Sequence, residues 1–489
     1  MNKQNFTESY CLDKLLTNPV VHIIIIFLLA VTLMMSKLGG NGLATYDDAF
    51  YAQKAKEILI TGDWMTMHYD GNPHFENPPF FMWLIAGSYI TFGINEYAAK
   101  FPSAFMGVMT VLLIYLVGRY MFNEWVGFYS ALILSTTNIF TRYAGRAMMD
   151  VTLSFFVTLA LFAMVLGIRK SPRYFLLWGL CVSVSVLIKS VLGFFPAVIT
   201  LLFILSTKRW RVFANPYFII GSISIGVLGC SWYINQSILY GNVFLKVHFG
   251  WLIFQRGFEV QPEAWDAHLS YAKDLMEYYW PWLPVFIVGI WKFSKRVLHN
   301  DEAEILCLIW VMTIFLTMSY MQTRVMWYIM PIFPATSMMC GVTLDEWLGE
   351  KRRIAHAKFW LILTGLVIVF FNATPIRLSK ERERDTRIIA PYVQRFASHH
   401  QCVAAFRQNY YSLNNALLFY SDYSASPILQ HYEELRALFA KTDTVFCILS
   451  NSDRDSLGMK DVSYSMIRKT DNLSVISNYP IQVYDVRSW

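Results

Sequence analysis

The chain has 489 residues, of which 55% are hydrophobic, 17% aromatic and only 15% charged. That balance excludes a soluble globular protein and describes a chain that crosses a membrane repeatedly. The net charge of +7 does not point to nucleic acid, because the basic residues are scattered between apolar runs, as expected of cytoplasmic loops.

The first apolar run, residues 20–36, lacks a small-residue cleavage site and reads as a retained span. It leads into Thr45-Tyr46-Asp47-Asp48-Ala49-Phe50-Tyr51 and on to His74-Phe75-Glu76-Asn77-Pro78-Pro79, so one loop, 38–79, carries three unusual carboxylates beside the membrane. Solvated acids there can act as bases or ligands, whereas a buried one loses its charge or costs several kcal/mol. Within this loop 47–61 predicts an interfacial helix. Tyr51, Ala55, Ile58 and Leu59 make its apolar stripe, and Gly62 stops it. The next apolar run, 80–93, has only 14 residues, the length of a re-entrant or interfacial segment.

Further spans are expected near 101–119, 125–142, 150–168, 174–189, 192–206, 216–236, 279–293, 303–320, 325–342 and 357–374. Basic clusters at Arg119, Arg169-Lys170, Lys208-Arg209, Lys295-Arg296 and Lys351-Arg352-Arg353 mark the cytoplasmic side. Parity then gives about eleven crossings, a cytoplasmic N-terminus and an extracytoplasmic C-terminus. It gathers 38–79, 141–149, 189–190, 237–278 and 321–324 on the outer face. The 237–278 segment mixes aromatics with charges and predicts helices lying in the interface. From 375 to 489 the composition is that of a soluble domain. A helix is expected over 378–396 and another over 431–441. Strands are expected at 402–406, 416–420, 444–449, 474–477 and 481–486, which together make a small α/β domain. The expected architecture is thus an all-α polytopic membrane domain, 1–374, followed by an extracytoplasmic α/β domain, 375–489. Cys402 and Cys447 lie in that domain and stand as a candidate disulfide or as two free thiols.

The outer face holds the candidate chemistry. Asp47 or Asp48 caps the helix that follows, and one cap is enough, which leaves the other as a candidate general base. Glu76 is a solvated loop acid or a substrate ligand. Asp150 opens an apolar run, either as an ordinary acid at a helix start or as a partner of Asp47. Lys189 interrupts Val186-Leu187-Ile188 and snorkels to the interface or binds an anion. Arg146, Arg256 and Arg324 are further cations on this face, of the kind a phosphate-bearing lipid head group needs. Tyr328 shares a helix face with Arg324 or belongs to the interfacial belt. A divalent metal at the outer-loop carboxylates stays open. No nucleotide-binding loop, dinucleotide fingerprint or zinc motif occurs. A reaction here must therefore use an activated donor already in the membrane.

Asp47-Asp48-Ala49-Phe50-Tyr51-Ala52, Gly62-Asp63-Trp64, Phe75-Glu76-Asn77-Pro78, Arg146-Ala147-Met148-Met149-Asp150, Lys189-Ser190-Val191-Leu192-Gly193, Gln255-Arg256-Gly257-Phe258 and Arg324 with Tyr328 occur in this order. The set resembles the integral-membrane GT-C glycosyltransferases that use polyprenyl-phosphate sugars, in particular the branch of the lipid A aminoarabinose transferase and protein O-mannosyltransferase-like enzymes. The resemblance implies transfer of a hexosyl or pentosyl group from polyprenyl phosphate to lipid A, a glycan or a protein, outside a bacterial inner membrane and with inversion. It implies Asp47, Asp48 and Asp150 as the catalytic acids, with Asp47 the base. Glu76, Tyr51, Lys189, Arg256, Arg324 and Tyr328 would bind substrate. Asp48 replaces a family Glu, and Asn77 replaces a family Lys that would face phosphate. A secondary transporter or flippase is the competing class, but its inverted repeats and midplane polar sites find no counterpart here.

Overall fold

The computed structural model describes residues 15–44, 46–255, 257, 270–297, 301–374, 383–398, 401–441, 443–457 and 462–480. Helix starts follow side-chain chemistry. Asn18, Asn95 and Asn123 accept from the Val20, Ala98 and Val126 N–H groups, each at 2.9 Å, and so open Pro19–Met35, Glu96–Met121 and Glu124–Thr136. Among the described residues six helical stretches are long and apolar enough to cross a bilayer: Glu96–Met121, Met149–Arg169, Tyr174–Ser206, Pro216–Gln255, Glu302–Tyr320 and Met326–Ala373. Pro19–Met35 and Phe80–Phe92 are shorter apolar helices, the second with only the 13 residues expected of a segment too short to cross upright.

Four expected spans differ in their breaks. The 125–142 span divides at Thr137, whose backbone is extended; its hydroxyl and that of Thr136 bond back to the Ile133 and Leu132 carbonyls. The 325–342 and 357–374 spans are joined in one helical stretch, Phe333–Ala373, kinked at Gly349, where φ is 60°. The 216–236 span runs on to Gln255, kinked at Gly241, where φ is 52°. The segment beginning at 237 is thus partly a continuation of a long helix. Gly179 and Gly221 let two helices meet backbone to backbone: a Cβ on Gly179 would lie 2.2 Å from the Gly221 carbonyl oxygen.

The C-terminal region builds a five-stranded sheet in the order Ile428–Leu429, Cys402–Phe406, Val445–Ser450, Leu473–Ser477, Ser465–Lys469, parallel through the first three and antiparallel thereafter. The expected strand at 416–420 is instead the C-terminal half of a helix, Tyr410–Ser421. Asn409 starts it by accepting from the Tyr411 and Ser412 N–H groups, a capping signal that the apolar run concealed. The helix expected from 378 is described from Arg384 to Ser398, and the strand expected at 481–486 lies outside the described residues. Cys402 and Cys447 are free thiols.

This domain sits directly on the first loop. Tyr420 accepts from the Leu43 N–H at 3.0 Å and donates to Glu96 at 2.9 Å; Arg387 reaches the same carboxylate at 3.1 Å. Lys56 donates to the Phe419 carbonyl at 3.0 Å and pairs with Asp422. The expected interfacial helix exists as Asp48–Thr61, ended by left-handed Gly62. It does not lie half in lipid, however. Every residue from Asp48 to Ile58 is buried, because the membrane helices cover one side and the C-terminal domain the other.

Candidate active site

Asp47 occupies the position before the first turn of Asp48–Thr61 but makes no side-chain cap. Asp48 makes none at the helix start either. It is 1% exposed, accepts from the Ala44 N–H at 3.3 Å, and takes both carboxylate oxygens to Arg146 Nε at 3.1 Å. The two neighbouring acids therefore have different environments. Asp48 is neutralised by a buried cation, and Asp47 is left facing open space.

That space is a cavity of about 660 Å³. Asp47, Tyr51, Glu76, Lys189 and Tyr328 all line it, together with Asn77, and an apolar wall of Trp251, Leu252, Ile253, Met318 and Met321 extends from them. The Tyr51 hydroxyl donates to Asp47 at 3.3 Å. Burial, then the Asp47 charge, hold that phenol well above its ordinary range, so it remains a donor. Burial, with Asp150 and Asp48 as the next causes, raises the Asp47 carboxyl to about 6, against the pull of Arg146 and Lys189. Glu76 lies 3.6 Å from His74, whose own pKa is driven down to about 2 by burial and by Lys54, so that contact involves a neutral imidazole.

Lys189 ends the helix Tyr174–Lys189 and Asp150 starts Met149–Arg169, which brings the two to the same membrane face. The Lys189 ammonium is ion-paired to Asp150 and sits 4.3 Å from the centre of the Tyr328 ring. Asp150 is itself buried behind the wall and Lys189 reaches the cavity, so the acid acts through the cation. Arg324 is placed between two wall residues, Thr323 and Val325, and turns its Nε to the Ser319 carbonyl at 3.1 Å. Arg256 lies outside the described residues.

A second cavity, of about 540 Å³, meets the first at Tyr46, Asp47 and Trp327. Its walls are polar: Arg142 and Arg146 come from the membrane side, Glu383, Thr386, Gln408 and Ser412 from the C-terminal region. The C-terminal domain also contributes Tyr411 and Asn415 to the first cavity. None of these tail residues stands out in the sequence, because only the docking of Tyr410–Ser421 brings them to Asp47. His248 was equally hidden in an aromatic run. It is fully buried and ties the Phe75 carbonyl, 2.7 Å, to the Ser190 hydroxyl, 3.0 Å, so it holds together the neighbours of Glu76 and Lys189.

Asp48 and Asp150 are engaged by Arg146 and Lys189, and no three His, Cys, Asp or Glu side chains converge among the described residues.

Comparison with known proteins bears on the fold. Residues 76–234 match the family described as dolichyl-phosphate-mannose-protein mannosyltransferase. The chain is 28% identical over 362 residues to a protein of Pseudomonas fluorescens named undecaprenyl phosphate-alpha-4-amino-4-deoxy-L-arabinose arabinosyl transferase 2, covering 70% of this chain and 63% of that one. It is 27% identical over 330 residues to an uncharacterised protein of Aquifex aeolicus, covering 67% and 64%. The chain thus spans less than two thirds of the length of these relatives. Among solved structures, ArnT from Cupriavidus metallidurans bound to undecaprenyl phosphate superposes with a TM-score of 0.74 over 94% of this chain and 97% of that one, at 17% identity. The Archaeoglobus fulgidus oligosaccharyltransferase gives a TM-score of 0.56 over 82% and 64%, at 13% identity. The chain is an integral-membrane protein with the GT-C glycosyltransferase fold. Within that fold its likeness runs to the ArnT architecture over almost the whole length of both chains.

Proposed function

We propose that this chain is a glycosyltransferase that moves a sugar from a polyprenyl-phosphate donor to an acceptor at the membrane face carrying its C-terminal domain. The observation that supports this most is the position of Asp47, in the wall shared by an apolar cavity and a polar one. A two-substrate reaction between a lipid-linked donor and a polar acceptor needs such a junction. The names of the similar proteins, and the undecaprenyl phosphate bound in ArnT, favour the same donor class.

In this reading the polyprenyl chain lies along Trp251, Leu252, Ile253, Met318 and Met321, and its phosphate meets Lys189 over Tyr328. Arg324, between the wall residues Thr323 and Val325, supplies further positive charge near that end. The acceptor enters by the polar cavity. Its hydroxyl or amine attacks the anomeric carbon from the side opposite the phosphate, and the bond from carbon to phosphate oxygen breaks with inversion. The acceptor proton passes to Asp47, and the leaving phosphate keeps the electron pair. Lys189 stabilises the charge that grows on this leaving group. Tyr51 orients the Asp47 carboxylate, Asp150 holds Lys189 in place, and Arg146 holds Asp48. A carboxyl poised near 6 is deprotonated at neutral pH yet basic enough to accept a proton in the transition state. Glu76 contacts the transferred sugar. The face is assigned as extracytoplasmic, in a bacterial inner membrane, with a pentose or hexose as cargo and lipid A, a glycan or a protein as acceptor.

Asp47→Asn tests the base assignment. The variant is expected to fold and bind undecaprenyl phosphate while losing transfer by 10²-fold or more, of the order ascribed to general bases. Full activity in a well-folded variant contradicts it.

A further inference from the structure

Lys54 is a buried cation that the reaction as described does not use. It lies on Asp48–Thr61, one turn beyond Phe50 and Tyr51, and is 0% exposed. Its ammonium donates to Asn77 Oδ1 at 2.7 Å and sits 3.8 Å from the centre of the Phe50 ring. Among the described residues no carboxylate stands at ion-pair distance from it. Glu57, on the same helix, instead accepts from Gln53 at 2.8 Å and from the Asp70 and Gly71 N–H groups at 2.8 and 3.1 Å. Holding an ammonium in the interior on a neutral amide and an aromatic face is expensive, and such an arrangement is poor evidence of a purely stabilising role. Burial brings the Lys54 pKa down to about 7, with Glu76 and Glu57 opposing.

The contact fixes Asn77. An ammonium has no acceptor atom, so the amide must turn its oxygen inward to Lys54, and its NH₂ group is left on the other side. Asn77 lines the large cavity beside Glu76, and among the described residues that NH₂ group has no hydrogen-bond acceptor. Phe50, under the Lys54 ammonium, lines the same cavity.

We propose that Lys54 is a positioning residue for the donor phosphate: it locks and polarises the Asn77 amide so that the Asn77 N–H donates to a phosphate oxygen of the polyprenyl-phosphate donor. The inference rests on the assignment of the large cavity to that donor. A cation one layer back thereby supplies, through a neutral amide, what a lysine at position 77 would supply directly.

The test is the affinity of the purified protein in lipid nanodiscs for undecaprenyl phosphate, with thermal melts in its absence. Lys54→Met is expected to fold, because it removes a buried charge, and to lose roughly tenfold in affinity, the scale of one charge-assisted hydrogen bond. Asn77→Asp is the decisive partner. A carboxylate there pairs with Lys54 and raises the melting temperature, yet it turns an acceptor toward the phosphate, so affinity drops tenfold or more. The double variant Lys54→Met with Asn77→Lys moves the cation into the cavity and is expected to return affinity to within about threefold of wild type. A merely structural contact predicts unchanged affinity in Asn77→Asp, and that result overturns the inference, as does a double variant no better than Lys54→Met. Wild-type protein indifferent to undecaprenyl phosphate overturns the donor assignment itself and the inference with it.

Discussion

The two neighbouring acids at the start of Asp48–Thr61 divide a single sequence signal into two roles. Asp48 is spent on Arg146, and Asp47 is held near 6 by burial and by the other acids around it. Transfer should therefore rise with pH through about 6 in kcat/KM and level off above it, provided donor and acceptor do not titrate there. The stability sign is the reverse. The folded state holds the Asp47 proton more tightly than the unfolded chain does, so this group favours folding at low pH, and the benefit is lost as pH rises through about 6. Asp47→Asn should then melt no lower than wild type at pH 7.5, and a fall of several degrees would contradict the burial account. At Lys189, removal of the ammonium leaves Asp150 buried and unpaired. Lys189→Met should lose about 3–5 kcal/mol of stability, and Lys189→Met with Asp150→Asn should recover most of it without recovering transfer. Asp47, Glu76, Lys189 and Tyr328 were legible in the sequence because each is a polar residue in an apolar or restricted setting. Lys54 and Arg142 were not, since Lys54 matters through its contact with Asn77 and Arg142 through the second cavity, and neither contact has a local signature.

At the scale of elements, the short ones were the most readable. Gly62 ends Asp48–Thr61 with φ 73°, a left-handed conformation that glycine adopts without strain. Phe80–Phe92 is as brief as its apolar run implied. What could not be read was coverage. The apolar stripe of Asp48–Thr61 has the period of a half-exposed helix, and only the arrival of Tyr410–Ser421 buries its other face, Lys56 included. The strand expected at 416–420 failed for the opposite reason: an apolar run of five residues fits a strand or a buried helix equally, and the Asn409 cap decides it. The close approach of Tyr174–Lys189 to Pro216–Ser224 gives a packing test. Gly179→Ala drives a methyl into the Gly221 carbonyl and should cost about 1–3 kcal/mol, whereas Gly226→Ala, with nothing within 4 Å of the added carbon, should be neutral or slightly stabilising in a thermal melt.

At the scale of the whole molecule, the C-terminal domain is part of the site. It closes both cavities with Tyr411, Asn415, Gln408 and Ser412 and is fastened through Glu96 to Tyr420 and Arg387. Glu96→Gln should loosen that docking, raise the protease sensitivity of the C-terminal domain, and lower transfer without abolishing donor binding; an unchanged cleavage pattern would argue that other contacts carry the interface. Composition announced the two-part architecture, but the joint between the parts is made of single residues far apart in sequence, Glu96 and Tyr420 by 324 positions, which no local pattern encodes. The central claim concerns the joint as a whole: sugar leaves a lipid phosphate in one cavity for an acceptor in the other, with Asp47 between them. Mass spectrometry of the cell envelope, comparing cells that carry the wild-type chain with cells that carry Asp47→Asn at equal abundance, tests it most directly. The account predicts an envelope lipid, glycan or protein heavier by one sugar residue with the wild type only. Identical envelope spectra from the two would contradict it.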